Sequence, residues 1–411
     1  MIGRLLGLSL WLPLKDRLFR RLFVGEGVAL LADQMFLISL TLLVLEVAGP
    51  GAQLGSVLAV ASIPGALLML VGGWVSDRFP PAAVLVVSNA GRAALMAVLA
   101  WIVLSDAVQL WHLYVLAGAL GLLDAFHYPA SLSVVPSLVE KRKLEAANAL
   151  VQGAEQISGL VGPALAAAAA ASLGLGATFA GFALMFLATS VLVFTVARGA
   201  RKRPDAEGAQ NPSAPGGGIL DGLRYAWRDP LLRTMLFVLA AINLAAIGPM
   251  IVGGAVLAEE RLGGAGSLGV LFSAFGGGSL VGLLVAGAAG RPRRRGATML
   301  GATALIGLGL GALGFVPGLV SACAAAVAMG VGAGYLGVVL VSWLQERAEP
   351  ALRGRVMSLV MFCVVALDPV SYALAGVLVA RSLTLTFVAA GTLMLAAVLF
   401  GAASSPVREF D

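Results

Sequence analysis

Five acidic side chains and one basic side chain lie inside the long apolar stretches of this sequence, when the residues at the very ends of the stretches are set aside. The acidic residues are Glu26, Asp33, Asp124, Glu155 and Asp368, and the basic residue is Arg92. An ionised side chain at the centre of a bilayer costs about 3 kcal/mol on insertion scales, so such residues are functional candidates by default. The first question is therefore which of these groups has a partner that neutralises it.

Proton binding is the chemistry that an unpaired carboxyl group in hydrocarbon supports. Burial disfavours the charged form, so such a group holds a proton in apolar surroundings and releases it to water. Glu26 and Asp33 are seven residues apart, which places them on one helix face about 10 Å apart. We predict Asp33 as the main proton-coupling carboxylate and Glu26 as a relay, and the other candidates are Asp124, Glu155 and Asp368.

Arg92 is the only cation at the depth of these acids. The simplest expectation is a structural ion pair between Arg92 and either Asp124 or Glu155. Asp33 and Asp368 are then expected to have no counter-ion, which makes them the strongest candidates for proton binding.

The two histidines do not predict a metal site. His112 and His127 fall at opposite ends of one apolar stretch, too far apart to form a cluster of metal ligands. His127 follows Asp124 by one helical turn, and two interpretations stay open. It could shuttle protons, or it could form a structural pair with Asp124.

The composition indicates what positions these groups. The chain has 411 residues, of which 60% are hydrophobic and 12% are charged, against about 45–50% and about 25% in soluble domains. This excludes an ordinary soluble enzyme and a disordered chain, and two cysteines exclude a disulfide scaffold. Stretches long enough to cross a bilayer occur at 22–46, 53–76, 83–104, 110–132, 148–171, 177–197, 233–257, 267–289, 298–316, 319–341, 356–379 and 384–403.

The predicted fold is an all-α integral membrane protein with twelve transmembrane helices. One long polar connection, rich in Pro and Gly, separates six spans from six. The predicted regions are an interfacial N-terminal segment, an N-terminal six-helix bundle, a cytoplasmic linker with an amphipathic helix, a C-terminal six-helix bundle and a cytoplasmic tail. Their bounds are 1–21, 22–197, 198–232, 233–403 and 404–411.

The basic residues orient the predicted spans. With the N-terminus inside, all 27 Lys and Arg residues except Arg92, Arg261 and Arg381 fall in cytoplasmic segments. This asymmetry is the positive-inside signature of bacterial inner-membrane proteins, and it predicts that both termini are cytoplasmic. The net charge of +6 therefore indicates contact with membrane lipids and not with nucleic acid.

Four motifs carry a resemblance to a known family. They are GGWVSDRF at 72–79, YPASLSVVPSLVEKRKLEAAN at 128–148, SGLVGPALAA at 158–167 and EPALRGRVMSL at 349–359. The sequence resembles the major facilitator superfamily along its whole length, and in particular the branch of macrolide efflux proteins and enterobactin exporters. LEAANALV at 144–151 also echoes LRGRVMSLV at 352–360. The resemblance implies two pseudo-symmetric six-helix bundles.

The resemblance also implies a set of gating residues. Asp77 would cap a neighbouring helix in one conformation, Gly159 and Gly162 would let helices approach closely, and Pro163 would bend its span. Ordinary helix packing and a solvated charge at Asp77 remain the alternatives. The predicted gating residues are Gly73, Asp77, Arg78, Arg92, Gly159, Gly162 and Pro163.

A second set of residues could line a substrate cavity. It comprises Gln34, Phe36, Asn243 and Tyr335, whose amide and aromatic groups suit a bulky amphipathic substrate, although packing explains them equally well. Gly248 and Pro249 predict a hinge in the seventh span.

The expected activity is that of a secondary active transporter with alternating access. The resemblance and the buried acids imply export of a hydrophobic or amphipathic compound, such as a drug, coupled to protons. Alternatives are export of a siderophore, lysophospholipid or metal ion, or an uncoupled facilitator. The sequence contains no HExxH, GxSxG or Walker motif, so no enzyme is predicted. We expect no cofactor besides the proton gradient, and a monomer whose partners are a small amphipathic substrate, protons and lipids.

Overall fold

Apart from short turns between the helices, the part of the chain that the structure describes is helical. The computed structural model describes residues 11–49, 51–140, 143–200, 227, 230–264, 266–289, 292, 294–347 and 366–403. Most of the predicted linker at 198–232 and all of the predicted tail at 404–411 lie outside these residues.

The first six long helices follow a short 3-10 helix at Leu12–Lys15. Asp16 caps the first of them, because its side chain accepts hydrogen bonds from the backbone N–H groups of Leu18 and Phe19. The charged end of the predicted interfacial segment is therefore the first turn of a transmembrane helix. The six helices are α1 (Arg17–Ala48), α2 (Ala52–Arg78), α3 (Pro81–Leu104), α4 (Leu110–Leu138), α5 (Leu144–Leu173) and α6 (Leu175–Ala200).

The first of the second six helices, α7, contains a π-helical segment between two α-helical parts. Helix α7 starts as Pro230–Gly248, continues as a π-helical segment at Pro249–Gly253, and ends as Gly254–Arg261. The others are α8 (Gly266–Ala289), α9 (Arg295–Leu313), α10 (Leu319–Arg347), α11 (Asp368–Val379) and α12 (Leu383–Ala403).

Each of the twelve predicted spans corresponds to one of these helices. Ten helices among the described residues are long and apolar enough to cross a membrane. The remaining two spans appear as shorter apolar helices at 52–68 and 368–379, within α2 and α11. The predicted all-α membrane fold is confirmed.

The chain divides into two compact units. The first consists of residues 1–43 and 60–213, and the second of residues 44–59 and 214–411. The end of α1 and the start of α2 thus group with the second unit. There a Cβ on Gly55 would approach the carbonyl oxygen of Tyr372 to 2.5 Å, so only glycine permits this contact between α2 and α11.

Glycines also set matching helix contacts in the two units. In the first, Gly72 and Gly121 bring α2 against α4, and a Cβ on either would overlap a backbone carbonyl of the facing helix. In the second, Gly282 and Gly334 do the same for α8 and α10. These helices occupy equivalent positions in the two halves. The repeat seen in the sequence is therefore also present in the structure, as the same glycine-mediated contact between two helices.

Candidate functional site

The guanidinium of Arg92 joins three helices of the first unit. Its Nη1 atom donates to both carboxylate oxygens of Asp33 at 3.3 Å, and its Nη2 atom donates to Asp124. Asp33 lies on α1, Arg92 on α3 and Asp124 on α4. One buried cation therefore holds two carboxylates from two different helices.

The surroundings of Arg92 fix the position of its helix. The Ser88 hydroxyl donates to the Leu123 carbonyl of α4 at 3.2 Å, and the Ser190 hydroxyl of α6 donates to the Val86 carbonyl at 2.9 Å. The ring centroid of Phe186 lies 5.5 Å from the Arg92 guanidinium carbon, which adds a cation–π contact. Helix α3 is thus tied to both neighbours near its cation.

The exposure of the three side chains differs sharply. The Arg92 side chain is 4% exposed, whereas those of Asp33 and Asp124 are 39% and 55% exposed. The cation is therefore enclosed, while the two carboxylates that it binds are open to their surroundings.

A second acid–base pair lies between the same two carboxylate-bearing helices. Glu26 of α1 and His127 of α4 are both buried, and the Oε2 and Nε2 atoms are 3.7 Å apart. The other polar atoms of the pair, Oε1 of Glu26 and Nδ1 of His127, have no hydrogen-bond partner among the described residues. The pair is therefore incompletely satisfied inside the helix bundle.

Together these residues form a cluster with a surplus of acidic groups. We call Glu26, Asp33, Arg92, Asp124 and His127 the acidic cluster. It holds three carboxyl groups for one guanidinium and one imidazole. If all carboxyl groups were ionised, the cluster would keep net negative charge even with the imidazole protonated.

The structure corrects one expectation and supports another. The prediction that Asp33 has no counter-ion is wrong, because α1 packs so that this carboxylate reaches Arg92. The expected pair between Arg92 and Asp124 is present. Glu155, the alternative partner, is exposed on α5 and forms no ion pair with Arg92.

Asp368 is the first residue of α11. Its Oδ1 atom is buried and has no hydrogen-bond partner among the described residues. Residues 348–365, which precede it closely, lie outside the described part of the chain. The absence of a counter-ion stays a prediction, because Arg353 and Arg355 lie outside the described residues.

The predicted hinge in α7 coincides with a hydroxyl inserted between two turns. The backbone N–H of Gly248 donates to Ser371 Oγ at 2.8 Å, and this hydroxyl donates to the Leu244 carbonyl at 2.7 Å. In a regular α-helix the N–H of 248 would bond the carbonyl of 244. The π-helical segment starts at the next residue, Pro249, so an inserted side chain and a proline act at one point.

The predicted cavity residues fall in both units. In the first, Gln34 lies against Gly162, and Phe36 packs edge-on against Phe179 with ring centroids 6.4 Å apart. In the second, buried Asn243 donates from its amide to the Leu239 carbonyl at 3.0 Å, and Tyr335 is half-buried.

The predicted gating residues have mixed outcomes. A Cβ on Gly162 would lie 2.7 Å from the Gln34 Cβ, which confirms the close approach there. The close approach predicted at Gly159 is wrong, because a Cβ there would meet no atom within 4 Å. Buried Pro163 lies inside α5, and the Arg78 guanidinium carbon lies 5.7 Å from the Trp74 ring centroid. The surroundings of Gly73 and the side chain of Asp77 lie outside what the structure describes.

One feature in each unit was not predicted from the sequence. In the second unit it is the hydroxyl of Ser371, and in the first it is Asn89, whose amide is fully buried with both polar atoms unpaired among the described residues. Asn89 lies one turn before Arg92, and this spacing is the only sequence signal that connects it to the cluster.

Comparison with known families identifies the chain. The sequence model of the Major Facilitator Superfamily matches residues 22–367. The chain belongs to this superfamily. It is therefore an integral, multi-pass membrane protein with the fold of a transporter.

Its curated relatives include drug exporters. The multidrug efflux pump Tap of Mycolicibacterium fortuitum is 28% identical over 420 residues, covering 97% of each protein. Tap of Mycobacterium tuberculosis is 28% identical over 407 residues, covering 94% of this chain and 91% of the pump.

Solved structures agree on the fold. A bacterial homologue of the human lysosomal transporter Spinster, solved in an inward-facing and unoccupied conformation, superposes with a TM-score of 0.69 at 13% identity. The match covers 97% of this chain and 96% of that one. At this identity the likeness concerns the fold alone.

Proposed function

We propose that this transporter exports a hydrophobic or amphipathic compound in exchange for protons that bind at the acidic cluster. The observation that carries the proposal is the sharing of the Arg92 guanidinium between Asp33 and Asp124. We assign Asp33 as the main coupling carboxylate and Glu26 as its relay, and we keep Asp124, Glu155 and Asp368 as further proton sites.

The charge balance of the acidic cluster supports proton coupling. Arg92 can neutralise one carboxylate, yet it contacts two, and Glu26 lies close by on α1. Uncompensated charge inside a protein costs several kcal/mol, so the cluster needs a proton or a cationic cargo to reach neutrality. A carrier whose empty site holds excess charge cannot change conformation freely, and this ties its movement to ligand binding.

The exposure of the side chains supports ligand exchange at the two carboxylates. Asp33 and Asp124 are 39% and 55% exposed, whereas Arg92 is 4% exposed. Protons or cargo can therefore reach the carboxylates while the guanidinium stays enclosed. When a proton neutralises Asp33, Arg92 keeps Asp124 as its partner, so protonation does not strand a buried cation.

The direction and the cargo class rest on the relatives. The Tap proteins are named as multidrug efflux pumps, and the apolar environment of the cluster suits an amphipathic compound. The bacterial relatives support a location in the inner membrane, and the charge asymmetry of the loops supports cytoplasmic termini. We propose that the protein works as a monomer, with the proton gradient as its energy source and no bound cofactor.

Proton movement in inverted membrane vesicles tests the proposal. A cargo is first chosen from a panel of amphipathic compounds by thermal stabilisation of the purified protein. Adding it to energised vesicles should release protons, which a pH-sensitive dye reports. Asp33→Asn should abolish this signal. Glu46→Gln, which changes an exposed acid on the same helix, should leave the signal intact.

Two results would contradict the proposal. Cargo-driven proton release that persists in Asp33→Asn would remove Asp33 as the coupling site. Cargo movement that continues at the same rate after the proton gradient is collapsed would make the protein an uncoupled facilitator.

A further inference from the structure

An apolar groove runs between α7 and α12 in the second unit. Its volume is about 330 Å³, the size of a small ligand pocket. It is lined by Phe237, Val238 and Ala241 of α7 and by Leu393, Ala396, Ala397 and Phe400 of α12. Among the described residues, its walls therefore offer hydrocarbon contacts and no polar side chain.

One end of the groove differs from the rest. Phe237 packs edge-on against exposed Trp227, with ring centroids 5.9 Å apart. Arg233 precedes Phe237 by one turn of α7, is exposed, and forms no ion pair among the described residues. Tryptophan and arginine at the end of an apolar helix are typical of the membrane interface, where the headgroups lie.

We propose that this groove is a phospholipid-binding site, with one acyl chain in the groove and the lipid phosphate on Arg233. The positions 233, 237 and 241 recur every four residues, so they form one stripe of α7 about 12 Å long. A phosphate at one end of this stripe places its acyl chain along the apolar part. The guanidinium supplies two parallel N–H donors, which match the oxygens of a phosphate.

The chemistry of the groove favours a lipid over other occupants. An amphipathic drug needs a polar partner along its length, and the lining residues that the structure describes supply none. A second copy of the chain needs a far larger surface than a groove of this volume. A phospholipid satisfies both parts of the site, because its chain is apolar and its one fixed anion lies at the end that carries Arg233.

Native mass spectrometry of the full-length protein in detergent tests the site. Phosphatidylglycerol is added to delipidated protein, and the bound lipid is counted. Arg233→Gln should weaken retention about fivefold, the loss expected for one arginine near a headgroup. The matched control is Arg198→Gln, since Arg198 is also exposed at the end of a span, over the Phe194 ring at 4.3 Å. It should retain the lipid.

Filling the groove tests the acyl-chain part of the site. Ala396→Phe places a ring in the groove and should displace the lipid, whereas Ala188→Phe, at an exposed position of α6, should not.

Diacylglycerol with the same chains should bind more weakly than phosphatidylglycerol, because it has no phosphate for Arg233 to bind. Equal retention by Arg233→Gln and Arg198→Gln, or by the two phenylalanine variants, would overturn the proposal. So would equal binding of the two lipids. Neither set of variants touches the acidic cluster, so a failure here is distinct from a failure of proton coupling.

Discussion

Two carboxylate partners make Arg92 tolerant of losing either one. The guanidinium is 4% exposed and contacts both Asp33 and Asp124. Removing one partner leaves the other in place, so the buried cation stays paired. Removing both leaves a cation without a partner, which costs about 3–5 kcal/mol in the interior of a protein.

This redundancy predicts strong non-additivity in the acidic cluster. Asp33→Asn and Asp124→Asn should each lower the free energy of unfolding by about 1 kcal/mol or less, because both carboxylates are partly exposed. The double variant should lose about 3 kcal/mol or more. Thermal unfolding of the purified protein in detergent measures all three losses as a double-mutant cycle.

A third substitution separates charge from packing. Adding Arg92→Leu to the double variant removes the unpaired cation and should recover part of the lost stability. Strictly additive losses, or no recovery in the triple variant, would show that Arg92 does not depend on these two carboxylates.

At the scale of elements, glycines decide how closely helices pack. A Cβ on Gly282 of α8 would overlap the carbonyl of Val331 on α10, and it would also approach the backbone N of Tyr335 to 2.9 Å. Backbone atoms cannot move aside as side chains do, so the two helices would have to separate. Gly287, on the same helix, is free of this constraint, because a Cβ there would meet no atom within 4 Å.

Two alanine substitutions in α8 should therefore have opposite effects. Gly282→Ala should destabilise the protein by about 1–3 kcal/mol through overpacking. Gly287→Ala should stabilise it by about 0.5–1 kcal/mol, because alanine loses less backbone entropy in a helix. Melting temperatures in the same detergent measure both. A Gly282→Ala variant as stable as Gly287→Ala would mean that α8 and α10 do not pack this closely.

The helices and the contacts between them show what the sequence could and could not predict. Spans of about 20 apolar residues appear directly in the sequence, so all twelve helices were predictable. A pair between Arg92 and either Asp124 or Glu155 followed from depth and charge, and the structure shows Asp124 as the partner. The contact of Asp33 with Arg92 did not follow, because it depends on how α1 rotates against α3. The inserted hydroxyl of Ser371 was unpredictable for the same reason, since it joins residues on α7 and α11 that are far apart in sequence.

At the scale of the whole molecule, the distribution of basic residues predicts the orientation in the membrane. All Lys and Arg residues except Arg92, Arg261 and Arg381 fall on one predicted side, and such a bias fixes topology during insertion. Arg92 is bound inside the acidic cluster. Arg261 donates to the Gly314 carbonyl at 2.8 Å and to the Thr384 hydroxyl at 3.0 Å, so it ties α7 to neighbouring segments. Arg381 is exposed in the turn before α12.

The turn at Arg381 gives the sharpest test of this orientation. Arg381 is a basic residue on the predicted outer side, so it runs against the positive-inside rule on which the orientation rests. In a cysteine-free background, Ser382→Cys in this turn should react with a membrane-impermeant maleimide in intact cells. Ser213→Cys, in the predicted cytoplasmic linker, should react only after the cells are lysed, because its segment carries most of the neighbouring positive charge. Labelling is read as a mass shift on a gel. The reverse pattern would invert every span. Labelling of both cysteines in intact cells would mean that an even number of helices cross the membrane between them, whereas five are predicted. The six-plus-six repeat would then be wrong.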